Sequence, residues 1–195
     1  MKAVIVDSEK NLHWQDFPTP EINDNEVLIK IHATAVNRAD LMQRQGFYSP
    51  PPGASPVMGL ECSGEVVELG KNSKRYKVGD RVCALLTGGG YAEYAAVDEG
   101  SVLPIPKGNS YVHGACLPEV FATAWLNIFM EAGLQPGEKV ILHAGASGVG
   151  TAAIQLCSSF GSPCFVTAGS NDKIDTCIEL GAEGGANRKD GSFYD

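Results

Sequence analysis

The sequence predicts two architectures in one chain: a β-rich first part, followed by an α/β unit with a doubly wound parallel sheet. Three observations predict this. Residues 25–36, "NEVLIKIHATAV", alternate Val27, Ile29 and Ile31 with Leu28, Lys30 and His32, the period of two that a strand needs. From residue 139 onward apolar runs alternate with helical ones: "KVILHAG", "GVGTAAIQLCSSFG", "PCFVTAG", "DKIDTCIELGAEG". Short apolar strands between helices are the mark of a parallel sheet buried on both faces. Between the first such strand and its helix stands a glycine-rich turn, "HAGASGVG", at 143–150.

Taken in order, "KAVIV" near the start is a short strand, and the run at 25–36 is the second. "NRADLMQRQG" is a helix that Asn37 can cap and Gly46 can end. "FYSPPPGASP" is a proline-stiffened loop, long and irregular as binding loops often are, or else a plain connector. "ECSGEVVELG" and "GDRVCALL" are strands bounded by Gly or Asp, and "GGGYAEYAAV" is a glycine turn running into another strand. "LPEVFATAWLNIFMEAGL" is helical, with Val120, Trp125, Leu126 and Phe129 at helical spacing, Pro118 in its first turn and Gly133 at its end. "LQPGEKV" turns the chain into the α/β unit. The change of texture lies near 105–120, which gives domains 1–115 and 116–195.

Composition narrows the function. With 44% apolar and 19% charged residues the chain is globular rather than disordered. A net charge of −8 repels phosphate backbones and anionic lipid, so nucleic acid is not an expected partner. The densest basic stretch, "KNSKRYK" at 71–77, reads as a solvated loop. The six cysteines, Cys62, Cys83, Cys116, Cys157, Cys164 and Cys177, include no C-x-x-C pair and no companion histidine cluster. That predicts no metal site and no disulfide framework, and it suits a reducing compartment. The N-terminus has too short an apolar run for a signal peptide, and Pro118 and Glu119 break the longest apolar stretch. The expectation is a soluble, cytoplasmic protein that does not enter a membrane.

The chemistry is written at 145–150, G-A-S-G-V-G. A dinucleotide fingerprint needs glycine for a tight turn, for close approach of the pyrophosphate and for packing of helix on strand. Gly145 and Gly150 take the first and third places; Ser147 takes the second, and Gly148 beside it supplies clearance. The N–H groups of Gly148, Val149 and Gly150 would then face phosphates at the positive end of the helix dipole. A plain glycine-rich turn is the other reading; the strand–turn–helix–strand context favours the dinucleotide. The next strand ends in Ala168, Gly169 and Ser170, with no carboxylate to hold a ribose 2′-hydroxyl, and Asp172 comes late beside Lys173. This leaves room for a 2′-phosphate, with Arg188 able to add charge, and favours NADPH over NADH. Lys173 also reads as an ordinary surface residue. His32, His113 and His143 have no partner pattern and read as structural.

The segments "NEVLIKIHATAVNRADLMQRQGFYSPPPGAS", "GLECSGEVVELG", "KVGDRV" and "VILHAGASGVGTAAIQL" resemble the quinone oxidoreductase branch of the medium-chain dehydrogenase/reductase superfamily. "NRADLMQRQG" and "PPPGAS" are most similar to the stress-inducible quinone oxidoreductases, relatives of zeta-crystallin. The resemblance covers nearly the whole chain. It implies a GroES-like N-terminal domain, a Rossmann domain that binds NADPH, and hydride transfer to quinones or other conjugated carbonyls, usually in a homodimer. Zinc-dependent relatives carry Gly-His-Glu where this chain has Gly59, Leu60 and Glu61, and they carry a cysteine-rich zinc loop that it lacks, so the resemblance implies a zinc-independent member. Asn37 and Tyr48 match the polar pair placed near nicotinamide and substrate, although Asn37 is also a helix cap and Tyr48 also suits packing under the proline loop. Thr123 matches a hydroxyl facing the nicotinamide, or bonds back to a carbonyl. Ser147, Gly148, Val149 and Gly150 match the pyrophosphate loop; Gly169, Ser170 and Lys173 match the 2′-phosphate pocket; Arg188 stands where close relatives carry Tyr near the adenosine. Such a site works by positioning, with Tyr48 steadying the carbonyl oxygen.

Family members run longer, so the resemblance also implies a C-terminally truncated chain with a partial Rossmann domain. Three functions follow from it: an NADPH-dependent quinone reductase represented by its N-terminal part, a truncated and inactive binding or regulatory form, and an enoyl reductase of the same superfamily.

Overall fold

In the computed structural model, which describes residues 1–191, the chain divides between Glu119 and Val120. The first unit, Met1–Glu119, opens with the antiparallel pair β1 (Lys2–Val6) and β2 (Leu12–Asp16). Then come β3 (Glu26–Thr34), α1 (Arg38–Gln45), β4 (Glu61–Leu69), β5 (Arg81–Leu85), β6 (Tyr94–Asp98), β7 (Val102–Pro104) and the short helix α2 (Tyr111–Ala115). Five of these strands form one antiparallel sheet in the order β6-β3-β4-β5-β7. The alternation read at 25–36 is kept in β3 beyond Ile29: Lys30 and His32 are exposed while Ile31 is half-buried. Two bulges, between Leu28 and Ile29 and between Ile31 and Ala33, bend β3 against β4 and curl the sheet. Val27, Ile29, Val66, Val82 and Val102 are wholly buried at its heart. Each such side chain stabilises the fold by about 1.5–3 kcal/mol.

Three elements here carry no strong sequence signal. β2, "LHWQD", is exposed at all five positions, so it has no buried face to pattern. β7 is three residues long and ends in Pro104, and α2 is five residues long.

The second unit begins inside α3 (Pro118–Trp125). The pattern read as one helix to Gly133 is in fact two: α3 gives way to a π-helix over Leu126–Glu131. The physical reason is local. The Asn127 side-chain nitrogen donates to the Thr123 carbonyl at 2.8 Å, taking the acceptor that the α ladder uses, and Ala132 N–H reaches the Asn127 carbonyl five residues back at 3.0 Å. β8 (Val140–His143), α4 (Gly148–Ser159), β9 (Cys164–Ala168), α5 (Asn171–Glu179) and β10 (Gly184–Asn187) follow. The three strands are parallel in the order β10-β9-β8, one arm of a doubly wound sheet. Ala153, Ile154 and Cys157 of α4 pack with Val166 of β9 and Cys177 of α5 in its core.

Burial on both faces, expected of all the parallel strands, holds for β9 but not for β8, where Ile141 is 60% exposed. Val140 and Leu142 pack against the core of the unit, and Ile141 alternates onto the opposite face of the sheet. All six cysteines are unpaired. Among the described residues no helix is long and apolar enough to cross a membrane.

Candidate functional site

In the first unit the site grows from the N-terminus of α1. Asn37 is its N-cap, with extended backbone (φ −106°, ψ 158°), and its N–H donates to Asp40 Oδ2 at 2.8 Å. The Asn37 side chain does more than cap: its Nδ2 donates to Glu61 Oε1 at 2.7 Å. Glu61 opens β4 and is 1% exposed. Its other oxygen accepts the Glu119 N–H at 3.0 Å, and its backbone carbonyl accepts the Thr34 hydroxyl at 2.7 Å. Asp40 is buried as well, and Tyr91 donates its phenol proton to Asp40 Oδ2 at 2.8 Å.

Two buried carboxylates thus bracket Asn37, one holding its backbone and one its carboxamide. Burial pushes the Glu61 carboxyl above the usual range; the bonds from Glu119 and Asn37 pull it back, and the Asp40 charge adds to the rise. Burial, and then the bond to Asp40, also raises the Tyr91 phenol, which stays protonated as a donor.

Tyr48 makes no hydrogen bond to these four residues. It lies two residues past Gly46, the left-handed residue (φ 86°) that ends α1, while Asn37 begins that helix. Tyr48 is 41% exposed and lines a groove of about 330 Å³ with Gln43, Arg44, Pro50, Pro56 and Met58. The structure therefore groups Asn37 with Glu61, Asp40 and Tyr91. In the sequence Glu61 figures only as the last residue of Gly59-Leu60-Glu61, the tripeptide that departs from Gly-His-Glu at Leu60, and Asp40 and Tyr91 are passed over. The available signal was a charged residue inside the apolar run "GLECSGEVV".

The second unit builds its site from backbone. A Cβ on Gly145 would stand 2.6 Å from Val166 side-chain atoms, and one on Gly150 would stand 2.4 Å from the Gly145 carbonyl oxygen. Glycine is thus required at both places, for packing on β9 and for seating α4 on the turn. Ser147 is the N-cap of α4, and its Oγ accepts the Gly150 N–H at 3.1 Å. Of the three N–H groups expected to face phosphates, that of Gly150 is therefore engaged. Gly148 and Val149 lie in the first turn, where an N–H has no carbonyl within its own helix to bond. Thr123 lies half-buried on α3, its carbonyl bonded by Asn127.

At the end of β9, Gly169 leads to Ser170, the N-cap of α5, and Lys173 is exposed in the first turn. Arg188 continues the β10 pairing, its N–H donating to the Ala168 carbonyl at 2.9 Å. Its Nε and Nη2 come 3.6 Å from where a Cβ on Gly169 would stand, and Lys189 Cε comes 4.0 Å from it. Gly169, Arg188 and Lys189 are thus gathered at one strand end; Lys189 is an addition that sequence reading missed.

The chain matches the Alcohol dehydrogenase GroES-like domain over residues 23–107, the stretch that holds Asn37, Tyr48, Glu61 and Tyr91. Pig quinone oxidoreductase is 33% identical over 181 residues, which are 92% of this chain and 55% of that protein. The chain is a quinone oxidoreductase-like member of the medium-chain dehydrogenase/reductase superfamily. Among solved structures, this member of the superfamily is similar to the quinone oxidoreductase of Thermus thermophilus, solved also in complex with NADPH. The two share 34% identity and a TM-score of 0.81, over 97% of this chain and 61% of that one. It is also similar to the CurK enoyl reductase, at 30% identity and a TM-score of 0.86, over 95% of this chain and 59% of that one. The superfamily member described here spans little more than half the length of each. Among its described residues no group of three His, Cys, Asp or Glu side chains stands together to hold a metal ion.

Proposed function

We propose that this chain is the N-terminal part of a reductase that transfers hydride from NADPH to quinones or other conjugated carbonyls. The observation that carries the cofactor assignment is the Arg188 guanidinium held over the carboxylate-free end of β9. A 2′-phosphate needs a cation there, where an NAD site has an acid for the ribose hydroxyl. The glycine turn at 145–150 suits a pyrophosphate, because Gly145 and Gly150 let β8 turn tightly into α4 and pack on β9 where any side chain would collide. NADPH, when bound, supplies the hydride. The chain's own residues bind and orient: Gly148 and Val149 offer N–H groups to phosphate, Arg188, Lys189 and Lys173 offer charge, and Asn37 offers its carboxamide to the acceptor's oxygen.

Calorimetry with NADPH and NADH, followed by turnover of a benzoquinone against an enoyl thioester, tests this reading. NADPH is expected to bind more tightly than NADH, with quinone turned over. Turnover of the thioester alone would move the assignment to an enoyl reductase, a reading favoured by the likeness to CurK. Absence of both binding and turnover would leave a binding or regulatory role.

A further inference from the structure

The buried pair Asn37–Glu61 has a chemical asymmetry. A carboxylate only accepts hydrogen bonds, so with Glu61 ionised Asn37 must turn its nitrogen toward Oε1, as observed at 2.7 Å. Glu61 Oε2 is already committed to the Glu119 N–H, a donor that cannot reverse. A proton arriving on Glu61 therefore belongs on Oε1, the oxygen that faces Asn37. There it becomes a donor, and the carboxamide must flip to accept it with Oδ1. The flip exchanges what Asn37 turns to its other side, from the carbonyl oxygen that faces the Asp40 N–H in the capping box to an NH2 group, so it also gives up that cap.

We propose that Glu61 is a positioning residue for Asn37, its proton selecting whether the carboxamide presents an acceptor or a donor away from the pair. A carbonyl oxygen needs a donor, so the protonated pair is the form suited to a quinone or enone; this part rests on the reductase reading above. Burial disfavours the charged form, so Glu61 holds its proton to higher pH than a free glutamate does. The titratable groups that feel its charge are Asp40 on α1, Tyr91 ahead of β6, Cys62 on β4 and Cys83 on β5. Burial pushes Cys62 up to about 12 and Cys83 up to about 11, and Tyr91 is raised above the phenol range. These three stay neutral through the acid range, which leaves Asp40 as the other carboxyl group beside Glu61.

Glu61→Gln separates them. The Glu119 N–H forces the substituted oxygen toward itself, so the new amide nitrogen faces Asn37 and mimics the protonated state. With saturating NADPH, wild-type kcat/KM for a quinone is expected to fall on the order of tenfold from an acid to an alkaline plateau, the worth of one good hydrogen bond. Glu61→Gln is expected to stay on the acid plateau throughout. Asn37→Ala is expected to show no step, and the double variant to add nothing. A step that survives in Glu61→Gln assigns the proton to another group, and one that survives in Asn37→Ala shows that Glu61 does not act through Asn37; either overturns the proposal.

A second measurement needs neither turnover nor a variant. In the full chain labelled with 15N-asparagine, the Asn37 side-chain NH2 signal is expected to shift through the same pH step, with exposed Asn72 as the baseline. A flat Asn37 signal overturns the proposal even where no acceptor is reduced, so failure of the reductase reading and failure of this one are told apart.

Discussion

The cluster around Glu61 is tied by hydrogen bonds that leap 24, 51 and 58 residues along the chain, all of them involving side chains. The turn into α4 is closed instead mainly by bonds that span three or four residues, most of them from backbone, beside one from the Gly145 N–H to the Thr167 carbonyl of β9. The first is a site of buried charge, whose geometry depends on every partner being present. The second is a site of excluded volume, whose geometry depends on two side chains being absent. One therefore responds to protons and the other to sterics, and substitutions can set the two dependencies against each other.

The largest effect is expected at Gly150. Its Cβ would meet the Gly145 and Ala144 carbonyl oxygens at 2.4 and 2.6 Å, and neither is a flexible side-chain end. Gly150→Ala is expected to destabilise the second unit by roughly 3 kcal/mol and to abolish dinucleotide binding, as followed by urea unfolding and calorimetry. Next is Tyr91→Phe, which takes one of two donors from the buried Asp40 Oδ2. It is expected to cost about 2 kcal/mol in the urea midpoint of the first unit while leaving NADPH affinity alone. If the two variants swapped their phenotypes, the contrast between the sites would collapse.

Arg188→Ala sharpens the second site. It is expected to weaken NADPH about 10- to 100-fold by calorimetry and NADH hardly at all. An equal loss for both cofactors would place the guanidinium on something other than the 2′-phosphate. The smallest effect is at the exposed Asp7–His13 pair, which lies outside both sites. The bond from His13, 2.6 Å long, lowers the Asp7 carboxyl to about 2, helped by the Asn11 N–H. A lowered acid contributes above its ordinary range and loses that contribution as pH falls toward 2. In His13→Ala the Asp7 carboxyl resonance is expected to titrate nearer the usual carboxylate value, with the thermal midpoint near pH 7 scarcely moved.

The same contrast explains what could be read from the chain. The nucleotide turn was legible because its requirements are local: Gly145, Ser147, Gly148 and Gly150 sit within six residues, between a strand and a helix. Asn37 was legible as a helix cap for the same reason. Its link to Glu61 was not, because pairing of partners 24 residues apart is decided by how β3 and β4 register, bulges included. Among the elements, β3, β4, β5 and α1 could be read from periodicity and caps. β2 could not, since no residue of it is buried, and the π-helix could not, since one side-chain bond from Asn127 shifts its ladder. Lys189 went unnoticed because only the pairing of β10 with β9 brings it near Gly169.

The unpaired cysteines have a practical consequence. Five are buried, and Cys116 alone is exposed, on the turn that follows α2. A thiol-directed dye thus has one address on the folded chain and six on the unfolded one. The chain carries its own gauge of opening, with a natural attachment point for a fluorophore and five silent thiols that report, by becoming reactive, which half of the molecule has come apart.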